Sequence, residues 1–323
     1  MKTVFLTDPI HPAGVAILKA AQGIEVIEGK GLSPEEVANA IARANAIGTR
    51  TYPLTAELLA RSNGLETVAK HGVGCDTIDV AHCTARGIPV TVTASANKVS
   101  VAEHTMMLML ACAKDVVGYD KAVRESVWSQ RYALRAFELR GRTLLLVGFG
   151  RIGKEVAVRD RAFGMRVVLV DIAMDHAKAR ELGCEVAADF RAALPDADIV
   201  TLHVPRNDET AGLMGRSEFA AMKRGAVFIN CARGGLVDEA ALADALRSGH
   251  LLAAGLDVFD EEPLPASHPL RDLPNVLLSP HSAASTVEAG RQMAIDMANN
   301  ILSAFAGAID PANIFNPEHR AQR

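Results

Sequence analysis

Short apolar runs alternate with amphipathic helical patterns along the first hundred residues. Two residues between these runs are typical of helix starts. Ser33 is an N-cap residue that is followed by a proline and two acidic residues, and Thr55 is a second N-cap residue further along the chain. The runs that predict strands are 4–6, 24–27, 46–49, 67–70 and 88–92. This alternation predicts a parallel sheet covered by helices, so residues 1–98 are expected to form one small α/β domain.

A long apolar helix and a charged segment follow this domain. Residues 100–114 predict a helix that is apolar on most faces, and such a helix is expected to be buried between domains or at a subunit interface. Residues 119–140 are strongly charged and include Trp128, the only tryptophan. This segment predicts either an arm that packs against a partner subunit or a solvated charged helix.

A second alternation of strands and helices begins at residue 142. Asp238 caps a predicted helix at 239–248, and a final helix at about 286–306 leads into a tail that is expected to return to the first domain. The predicted strands are 143–147, 166–170, 184–187, 199–203, 226–230, 253–257 and 276–278. We therefore expect a discontinuous domain of residues 1–98 plus about 287–323, and a continuous domain of residues 99–286.

Composition and charge narrow the class of protein. The chain has 323 residues, of which 49% are hydrophobic and 22% are charged, as in an ordinary soluble globular protein. A net charge of −4 provides no basic surface for nucleic acid or an anionic membrane. The apolar run at 106–113 is too short to span a bilayer. The five cysteines show no metal-binding spacing, so we expect a cytoplasmic protein with reduced thiols and no metal site.

A glycine-rich turn follows the apolar run at 143–147 and opens a predicted helix. Gly148 can adopt a positive φ, and Gly150 allows the backbone to approach a pyrophosphate. Gly153 allows the helix to pack closely on the strand, and the first N–H groups of that helix face the phosphates. The pattern predicts a dinucleotide site, while the alternative is a glycine-rich turn that binds no nucleotide.

An acidic residue stands about 20 residues beyond this turn, where dinucleotide-binding folds recognise the adenine ribose. Asp171 ends the predicted strand at 166–170, and a carboxylate there accepts hydrogen bonds from ribose hydroxyls and repels a 2′-phosphate. Ile172 and Ala173 supply no arginine to bind such a phosphate. The sequence therefore predicts NAD rather than NADP as cofactor.

Three polar clusters follow strands of the second domain, at 230–235, 257–263 and 278–282. Because ligands bind beyond the carboxyl ends of parallel strands, Arg233, Glu262 and His281 are expected to converge. An arginine can bind a carboxylate through two parallel hydrogen bonds, a histidine can carry a proton near neutral pH, and a glutamate can fix its ring. Each residue alone has a structural interpretation, but the three together favour hydride transfer to a 2-keto acid.

Further stretches match the motifs of a known family. They are Gly72-Val73-Gly74-Cys75-Asp76, Val101-Ala102-Glu103-His104-Thr105, the Gly148 turn, His203-Val204-Pro205 with Thr210, Asn230-Cys231-Ala232-Arg233-Gly234, Leu236-Val237-Asp238-Glu239, Leu256-Asp257-Val258-Phe259 with Glu262-Pro263, and Pro280-His281. From about residue 46 to residue 285, the sequence resembles the NAD-dependent D-2-hydroxyacid dehydrogenases, close to their phosphoglycerate dehydrogenase and hydroxypyruvate/glyoxylate reductase branches.

The resemblance implies two Rossmann/flavodoxin-like doubly wound parallel-sheet domains, with a small 2-hydroxy or 2-keto acid in the interdomain cleft. The apolar helix and the charged segment, for their part, predict a homodimer. It implies that His281 is the acid/base, that Glu262 is its partner and that Arg233 binds substrate. Backbone groups of Val73 and Gly74 would hold the substrate carboxylate. The positions that it implies for NAD are Gly148, Gly150, Arg151, Ile152, Gly153, Asp171, His203, Val204, Pro205, Thr210, Cys231, Ala232 and Asp257.

The resemblance leaves the substrate and one alternative function open. Phosphoglycerate enzymes usually place an arginine at the position of Gly48, whereas Arg50, Lys70 and His71 are the candidates here for a substrate phosphate. The alternative to an enzyme is a non-catalytic NAD-sensing scaffold of the corepressor type. The formate dehydrogenase branch has a glutamine where this chain has Glu262.

Overall fold

A computed structural model describes residues 1–133 and 135–322 of the chain. The backbone divides into two compact units, Met1–Asn97 with Ser285–Arg323 and Lys98–Ala284. The strands are β1 Lys2–Leu6, β2 Ile24–Glu28, β3 Ala46–Thr49, β4 Thr67–Lys70, β5 Val90–Thr91, β6 Thr143–Val147, β7 Arg166–Val170, β8 Glu185–Val186, β9 Ile199–Leu202, β10 Val227–Asn230, β11 Ala253–Leu256 and β12 Val276–Leu278.

Helices connect consecutive strands in both units. They are α1 Pro12–Ala20, α2 Pro34–Arg43, α3 Ala56–Ala60, α4 Val80–Ala85, α5 Lys98–Ala113, α6 Val116–Arg124, α7 Arg151–Ala162, α8 His176–Glu181, α9 Phe190–Ala193, α10 Arg216–Ala221, α11 Glu239–Arg247 and α12 Val287–Phe305. Short 3₁₀ turns are formed by Trp128–Ala133, Leu194–Asp196, Pro269–Asp272, Pro311–Asn313 and Pro317–Gln322. Within the described ranges, no helix combines the length and the apolar character needed to cross a membrane.

The first unit contains a five-stranded parallel sheet in the order β2-β1-β3-β4-β5. The order reverses between β1 and β3, so the loops that follow these two strands diverge at a topological switch point. Helix α12 packs against this sheet, and Met297 and Ile301 on α12 are fully buried with Val4 and Leu6 of β1. The chain segment after residue 285 therefore completes the core of the first unit.

The second unit contains a seven-stranded parallel sheet in the order β12-β11-β10-β9-β6-β7-β8. Here the order reverses between β6 and β9, which places the loops after these strands at the second switch point. The predicted fold class, two doubly wound parallel-sheet units, is confirmed. The edge strands β5 and β8 are shorter than predicted, at two residues each.

Helix α5 packs against β10 and β11, inside its own unit. Met109 and Ala102 on α5 are fully buried, whereas Val99 is 42% exposed and Met107 is 45% exposed. The apolar helix is thus buried on the face that covers the sheet of its own unit, while burial between domains or at a subunit interface stays a prediction. The charged segment 119–140 forms the end of α6 and a 3₁₀ turn, and residue 134 of this segment lies outside the described residues.

Helix α7 carries a carboxyl group that is buried without a hydrogen-bond partner among the described residues. Asp160 is 0% exposed, and neither of its carboxyl oxygens has a hydrogen-bond partner among the residues that the structure describes. Burial raises the pKa of Asp160 to about 8, so the folded protein holds this carboxyl in its neutral form near pH 7. The group therefore makes the stability of the second unit dependent on pH.

We expect Asp160→Asn to stabilise the protein more at pH 8.5 than at pH 5. An unfolded aspartate has a pKa of about 4, so between about pH 4 and pH 8 the folded state binds the extra proton and stability falls as pH rises. Asparagine is neutral throughout and removes this loss. The effect is measured by thermal unfolding at both pH values, with the exposed Asp272→Asn as control. A change of about 1 kcal/mol in the free energy of unfolding shifts the melting temperature by about 2–4 °C. Equal shifts of the melting temperature at both pH values would contradict it.

Candidate active site

The glycine-rich turn after β6 has the geometry of a phosphate cradle. Gly148 has φ +101°, and a Cβ built on it would lie 2.5 Å from the carbonyl oxygen of His203. A Cβ on Gly153 would collide with the carbonyl oxygen of Gly148, so the first turn of α7 packs directly on the loop. A Cβ on Gly150 would meet nothing within 4 Å, and no side chain caps the start of α7. The open space at Gly150 and the N–H groups of this helix end are suited to an anion.

Asp171 joins the end of β7 to this turn. One carboxylate oxygen accepts a 2.5 Å hydrogen bond from the N–H of Phe149, and the other accepts a 2.7 Å bond from the N–H of Ala173. The next side chain, Ile172, is 98% exposed, although it is a large aliphatic group. The end of β7 therefore presents a carboxylate beside an uncovered apolar surface.

The segment after β9 forms the other wall of the turn. His203 donates its N–H to the carbonyl oxygen of Val147, and the side chain of Val204 lies close to the α-carbon of Gly148. Burial lowers the pKa of His203 to about 3, so its ring, which pairs with Thr201, is neutral. The hydroxyl of Thr210 donates to the carbonyl oxygen of Pro205 and closes the loop between them.

The side chain of Asn230 fixes the loop after β10 through two hydrogen bonds. Its amide oxygen accepts from the N–H of Ala232, and its amide nitrogen donates to the carbonyl oxygen of Arg233. Cys231 and Ala232 are buried, and burial raises the pKa of the Cys231 thiol to about 12. These two residues can therefore offer a ligand only their backbone, and Cys231 is no nucleophile.

Arg233, Glu262 and His281 are gathered at the carboxyl ends of β10, β11 and β12. Nδ1 of His281 lies 2.7 Å from Oε2 of Glu262, and Oε1 of Glu262 accepts a bond from the N–H of Phe259. Burial alone would raise the pKa of Glu262, but these hydrogen bonds and the charge of Arg233 outweigh it and lower the pKa. The carboxylate is ionised and orients a half-exposed imidazole, whose Nε2 has no hydrogen-bond partner among the described residues.

The resemblance places Asp257 near the nicotinamide. In the structure, its carboxylate is hydrogen-bonded to the loop that carries His281. Its carboxylate is 1% exposed. Oδ1 accepts from the hydroxyl of Ser279 at 2.6 Å and from the N–H of Ser282 at 2.9 Å, and Oδ2 accepts from the N–H of Ala283 at 2.9 Å. Most of the hydrogen-bonding capacity of Asp257 therefore shapes this loop.

The candidate substrate residues of the first unit form a cluster at the ends of β3 and β4. Nζ of Lys70 donates a 2.5 Å bond to the carbonyl oxygen of Arg50, and Nε2 of His71 lies 3.3 Å from the carbonyl oxygen of Gly290. Burial, together with the charge of Arg50, lowers the pKa of His71 to about 4. His71 is therefore neutral near pH 7 and cannot attract a phosphate by charge.

The loop after β4 presents backbone donors. Gly72 has φ +133° and is bound through both its N–H and its carbonyl group to Thr93. The N–H groups of the next two residues, Val73 and Gly74, donate to no acceptor within the described ranges. Two adjacent N–H groups on a braced loop can bind a carboxylate.

Gly48, where phosphoglycerate enzymes usually have an arginine, faces the core of the first unit. Gly48 lies inside β3, and a Cβ there would come within 2.7 Å of Leu6 and 2.9 Å of Met297. A side chain at this position would enter the core of the first unit instead of facing a ligand. The glycine is present because helix α12 packs closely on the strand.

Asp8, which is not among the residues predicted from the sequence, organises the loop after β3. One carboxylate oxygen of Asp8 accepts from the N–H groups of Arg50, Thr51 and Tyr52, and the other accepts from the Thr51 hydroxyl. Burial alone would raise the pKa of Asp8, but these bonds and one from Thr7 lower it to about 2. Asp8 lies two residues after the end of β1, so the rule that polar residues after strands form sites could have identified it.

A metal centre is not among the features of this site. Within residues 1–133 and 135–322, no group of three or more histidine, cysteine, aspartate or glutamate side chains is placed to hold a metal ion.

Comparisons with known proteins agree with this geometry. A family model described as D-isomer specific 2-hydroxyacid dehydrogenase, NAD binding domain, matches residues 106–283. The chain is 38% identical to the D-3-phosphoglycerate dehydrogenase of Archaeoglobus fulgidus over 305 residues, which cover 94% of this chain and 57% of that protein. It is 39% identical to the glyoxylate reductase of Aeropyrum pernix over 329 residues, which cover 98% of this chain and 96% of that protein.

A solved structure is similar over the same length. The D-lactate dehydrogenase of Aquifex aeolicus, complexed with NAD and lactic acid, matches with a TM-score of 0.86 and 28% identity. The match covers 97% of this chain and 99% of that chain. By contrast, the present chain spans little more than half the length of the phosphoglycerate dehydrogenase, at 57%.

Proposed function

The chain belongs to the D-isomer specific 2-hydroxyacid dehydrogenase family, and on that premise we propose that it interconverts a small D-2-hydroxy acid and its 2-keto acid with NAD as the hydride carrier. Residues 106–283 match the family's NAD-binding domain. The observation that carries the proposal is the 2.7 Å contact between His281 and an ionised Glu262, beside Arg233, at the strand ends of that domain.

Each of these side chains has one proposed task. Arg233 binds the carboxylate and carbonyl oxygen of the keto acid through its planar donors. Nε2 of His281 donates a proton to the carbonyl oxygen during reduction and accepts it back during oxidation. Glu262 holds Nδ1 so that Nε2 faces the substrate. NADH, when bound, supplies a hydride to the carbonyl carbon.

The described residues fit this cofactor. The space beside Gly150 and the uncapped start of α7 suit a pyrophosphate, where Arg151 and Ile152 begin the helix. Asp171 can accept from ribose hydroxyls while it braces the turn, and the exposed side chain of Ile172 offers an apolar contact to a base. We propose that the 203–210 segment and the backbone of the loop after β10 complete the site.

We expect Gly150→Ala to weaken NADH binding by about tenfold or more without lowering the melting temperature. The added methyl group meets no protein atom within 4 Å, and φ at Gly150 is −74°, so the fold tolerates alanine. The methyl group would occupy the space proposed for the pyrophosphate, where close backbone approach is required. Isothermal titration with NADH and thermal unfolding measure the two effects.

Two further glycines serve as controls for this prediction. Gly153→Ala places its methyl group against the carbonyl oxygen of Gly148 and should destabilise the fold itself. Gly215→Ala alters the start of another helix, α10, and should leave NADH binding unchanged. If Gly150→Ala bound NADH with wild-type affinity, the assignment of the pyrophosphate to this turn would be wrong.

We propose that the substrate is unphosphorylated, as for a glyoxylate or hydroxypyruvate reductase. The basic cluster of Arg50, Lys70 and His71 in the first unit offers little positive charge to a phosphate. Nζ of Lys70 is bound to backbone, His71 is neutral, and Arg50 is the exposed cation of the three. The paired N–H groups of Val73 and Gly74 suit a carboxylate. A 3-phosphoglycerate dehydrogenase is the second candidate, favoured by the name of the Archaeoglobus fulgidus relative.

The substrate proposal is tested by the rate of NADH oxidation with glyoxylate, hydroxypyruvate, pyruvate and 3-phosphohydroxypyruvate. We expect the highest kcat/KM with an unphosphorylated acid. A strong preference for the phosphorylated compound would overturn the substrate class but not the reaction. Tight NADH binding with no turnover on any of these acids would instead favour an NAD-sensing scaffold.

We propose a homodimer in which α6 and the following 3₁₀ turn contact a second copy of the chain. Trp128 is 64% exposed, and Val117 and Val123 are each 56% exposed. A cavity of about 310 Å³ is lined by Tyr119, Ala122, Val123, Val127, Trp128 and Arg131. Clustered apolar side chains of this kind mark an interaction surface.

We expect Trp128→Asp to shift the protein from dimer to monomer in sedimentation equilibrium, because a charge would be buried in the proposed interface. Phe163→Asp, which changes another exposed aromatic residue in the second unit, should leave the mass unchanged. A monomeric wild-type protein would refute the proposed homodimer, and a dimer that persists in the Trp128 variant would refute this surface.

A cytoplasmic location is also a proposal. All five cysteines are free thiols, and Cys75, Cys83, Cys112 and Cys231 are buried. Free thiols are typical of reducing compartments. Fractionation of the producing cells, with activity followed in each fraction, would test the location.

A further inference from the structure

A hydrogen-bond chain leads from helix α5 to the loop of His281. Nε2 of His104 lies 2.9 Å from Oγ of Ser279, and the same Oγ lies 2.6 Å from Oδ1 of Asp257. The His104 side chain is only 16% exposed. The reaction proposed above uses neither His104 nor Ser279, yet both are joined to the carboxylate that binds the N–H groups of Ser282 and Ala283.

The protons of this chain can be placed by counting donors. Asp257 as a carboxylate only accepts, and its Oδ1 lies 2.6 Å from Oγ of Ser279, closer than the carbonyl oxygen of Leu256 at 3.4 Å, so the single hydroxyl proton of Ser279 is donated to Oδ1. Oγ of Ser279 must then accept from His104, which assigns a proton to Nε2 of that ring. The direct distance from Nε2 of His104 to Oδ1 of Asp257 is 3.5 Å, so the serine hydroxyl is the closer connection.

The loop needs this support because His281 has an unfavourable backbone conformation. Its φ is +51°, in the left-handed region that L-residues with side chains seldom adopt. Such a conformation persists where surrounding contacts determine it. Here the N–H of His281 donates to the carbonyl oxygen of Asp257, and the next two N–H groups donate to its carboxylate. Asp257 thus binds both sides of the strained residue.

We propose that His104 is a positioning residue, which acts through Ser279 and Asp257 to hold the 279–283 loop so that the imidazole of His281 faces the substrate. The expected loss of kcat rests on the proposed function, whereas the expected change in the conformation of the 279–283 loop does not. His104 donates to Ser279, Ser279 fixes one oxygen of Asp257, and Asp257 fixes the backbone around His281. His104 itself touches neither substrate nor cofactor in this account.

The test compares two substitutions at His104. Leucine fills the space but donates no hydrogen bond, whereas glutamine can donate from its amide nitrogen to Ser279. We expect His104→Leu to lower kcat by up to about 10²-fold, with the KM for the keto acid and the affinity for NADH nearly unchanged, because a small misplacement of a catalytic group reduces turnover strongly. His104→Gln should recover most of this loss, which a purely steric role would not allow.

Ser279→Ala provides the second variant, and it keeps the proposal testable if His104→Leu fails to fold. It should reduce kcat to a similar extent, and the double variant Ser279→Ala/His104→Leu should be no slower than Ser279→Ala alone, since both act through one chain. Wild-type kcat in His104→Leu or in Ser279→Ala, or losses that multiply in the double variant, would overturn the proposal.

Crystal structures of the variants separate this inference from the proposed function. If the wild-type protein reduced no keto acid, the proposed function would fail, but the loop could still be examined. We expect Ser279→Ala and His104→Leu to release His281 from its left-handed φ or to lengthen its contact with Glu262. An unchanged loop in both variants would refute the positioning role whatever the activity.

Discussion

His281→Asn is expected to lower kcat for keto-acid reduction by about 10²–10⁴-fold, while NADH binding stays close to that of the wild type. Asparagine is polar and somewhat smaller than histidine, but it cannot carry a proton near neutral pH. The imidazole is half-exposed and held by Glu262 at 2.7 Å, so the substitution leaves no buried charge unpaired. The fold should therefore be preserved. Steady-state kinetics and titration with NADH measure the two quantities separately.

The matched control for this variant is His250→Asn. His250 lies in the same unit, where its Nε2 contacts the carbonyl oxygen of Met222 away from the strand-end trio. Its replacement should leave kcat nearly unchanged. If His281→Asn kept wild-type kcat, another group would be the acid/base and the assignment of His281 would be wrong.

The second large effect is expected from the paired change Asp171→Asn with Ile172→Arg, which should exchange NADH for NADPH as the better cofactor. Asparagine can still accept from the N–H of Phe149, so the turn keeps its brace, but it no longer repels a 2′-phosphate. Arginine at the exposed position 172 can bind that phosphate. Hydrogen bonds to charged groups contribute about 1.5–3 kcal/mol, which predicts a change of about 10–10²-fold in each affinity.

The affinities for NADH and NADPH are measured by fluorescence titration of the wild type, the paired variant and Ile172→Gln. The glutamine variant is polar at the same exposed position but carries no charge. It should retain the preference for NADH. If the paired variant kept the wild-type ratio of affinities, Asp171 would not be the residue that selects the cofactor.

The parts of the site that were predictable are those with a local signal. Gly148, Gly150 and Gly153 have a spacing that only a strand, turn and helix explain. Arg233 and His281 each lie three residues beyond the end of an apolar strand, and parallel sheets bring such positions to one edge. The order of apolar runs was likewise sufficient to predict two parallel sheets.

The parts that were not predictable depend on contacts between distant segments. Asp8 is 42 residues from Arg50, and Asp257 is 25 residues from Ser282, so neither partner can be recognised from local pattern. The same limit applies to electrostatics. His71 was predicted as a phosphate ligand from its type, but its burial, which depends on the whole fold of the first unit, lowers its pKa and removes the charge.

Gly48 illustrates a third limit, the direction of a side chain. A comparison of motifs can identify an equivalent position, but it cannot show which face of the strand that position occupies. In this chain the face is covered by Met297 of α12, nearly 250 residues further along the sequence. The small residue at 48 therefore reflects helix packing and carries no information about the substrate.

Transfer of deuterium from NADH that carries deuterium at both C4 positions of the nicotinamide tests whether this protein delivers hydride to a 2-keto acid. The wild-type protein should convert glyoxylate or hydroxypyruvate into the 2-hydroxy acid with one deuterium on the carbon that bore the carbonyl group, and His281→Asn should form the same product far more slowly. Product without the label would contradict direct hydride transfer. NADH binding without any product from the keto acids would contradict the proposed enzyme altogether.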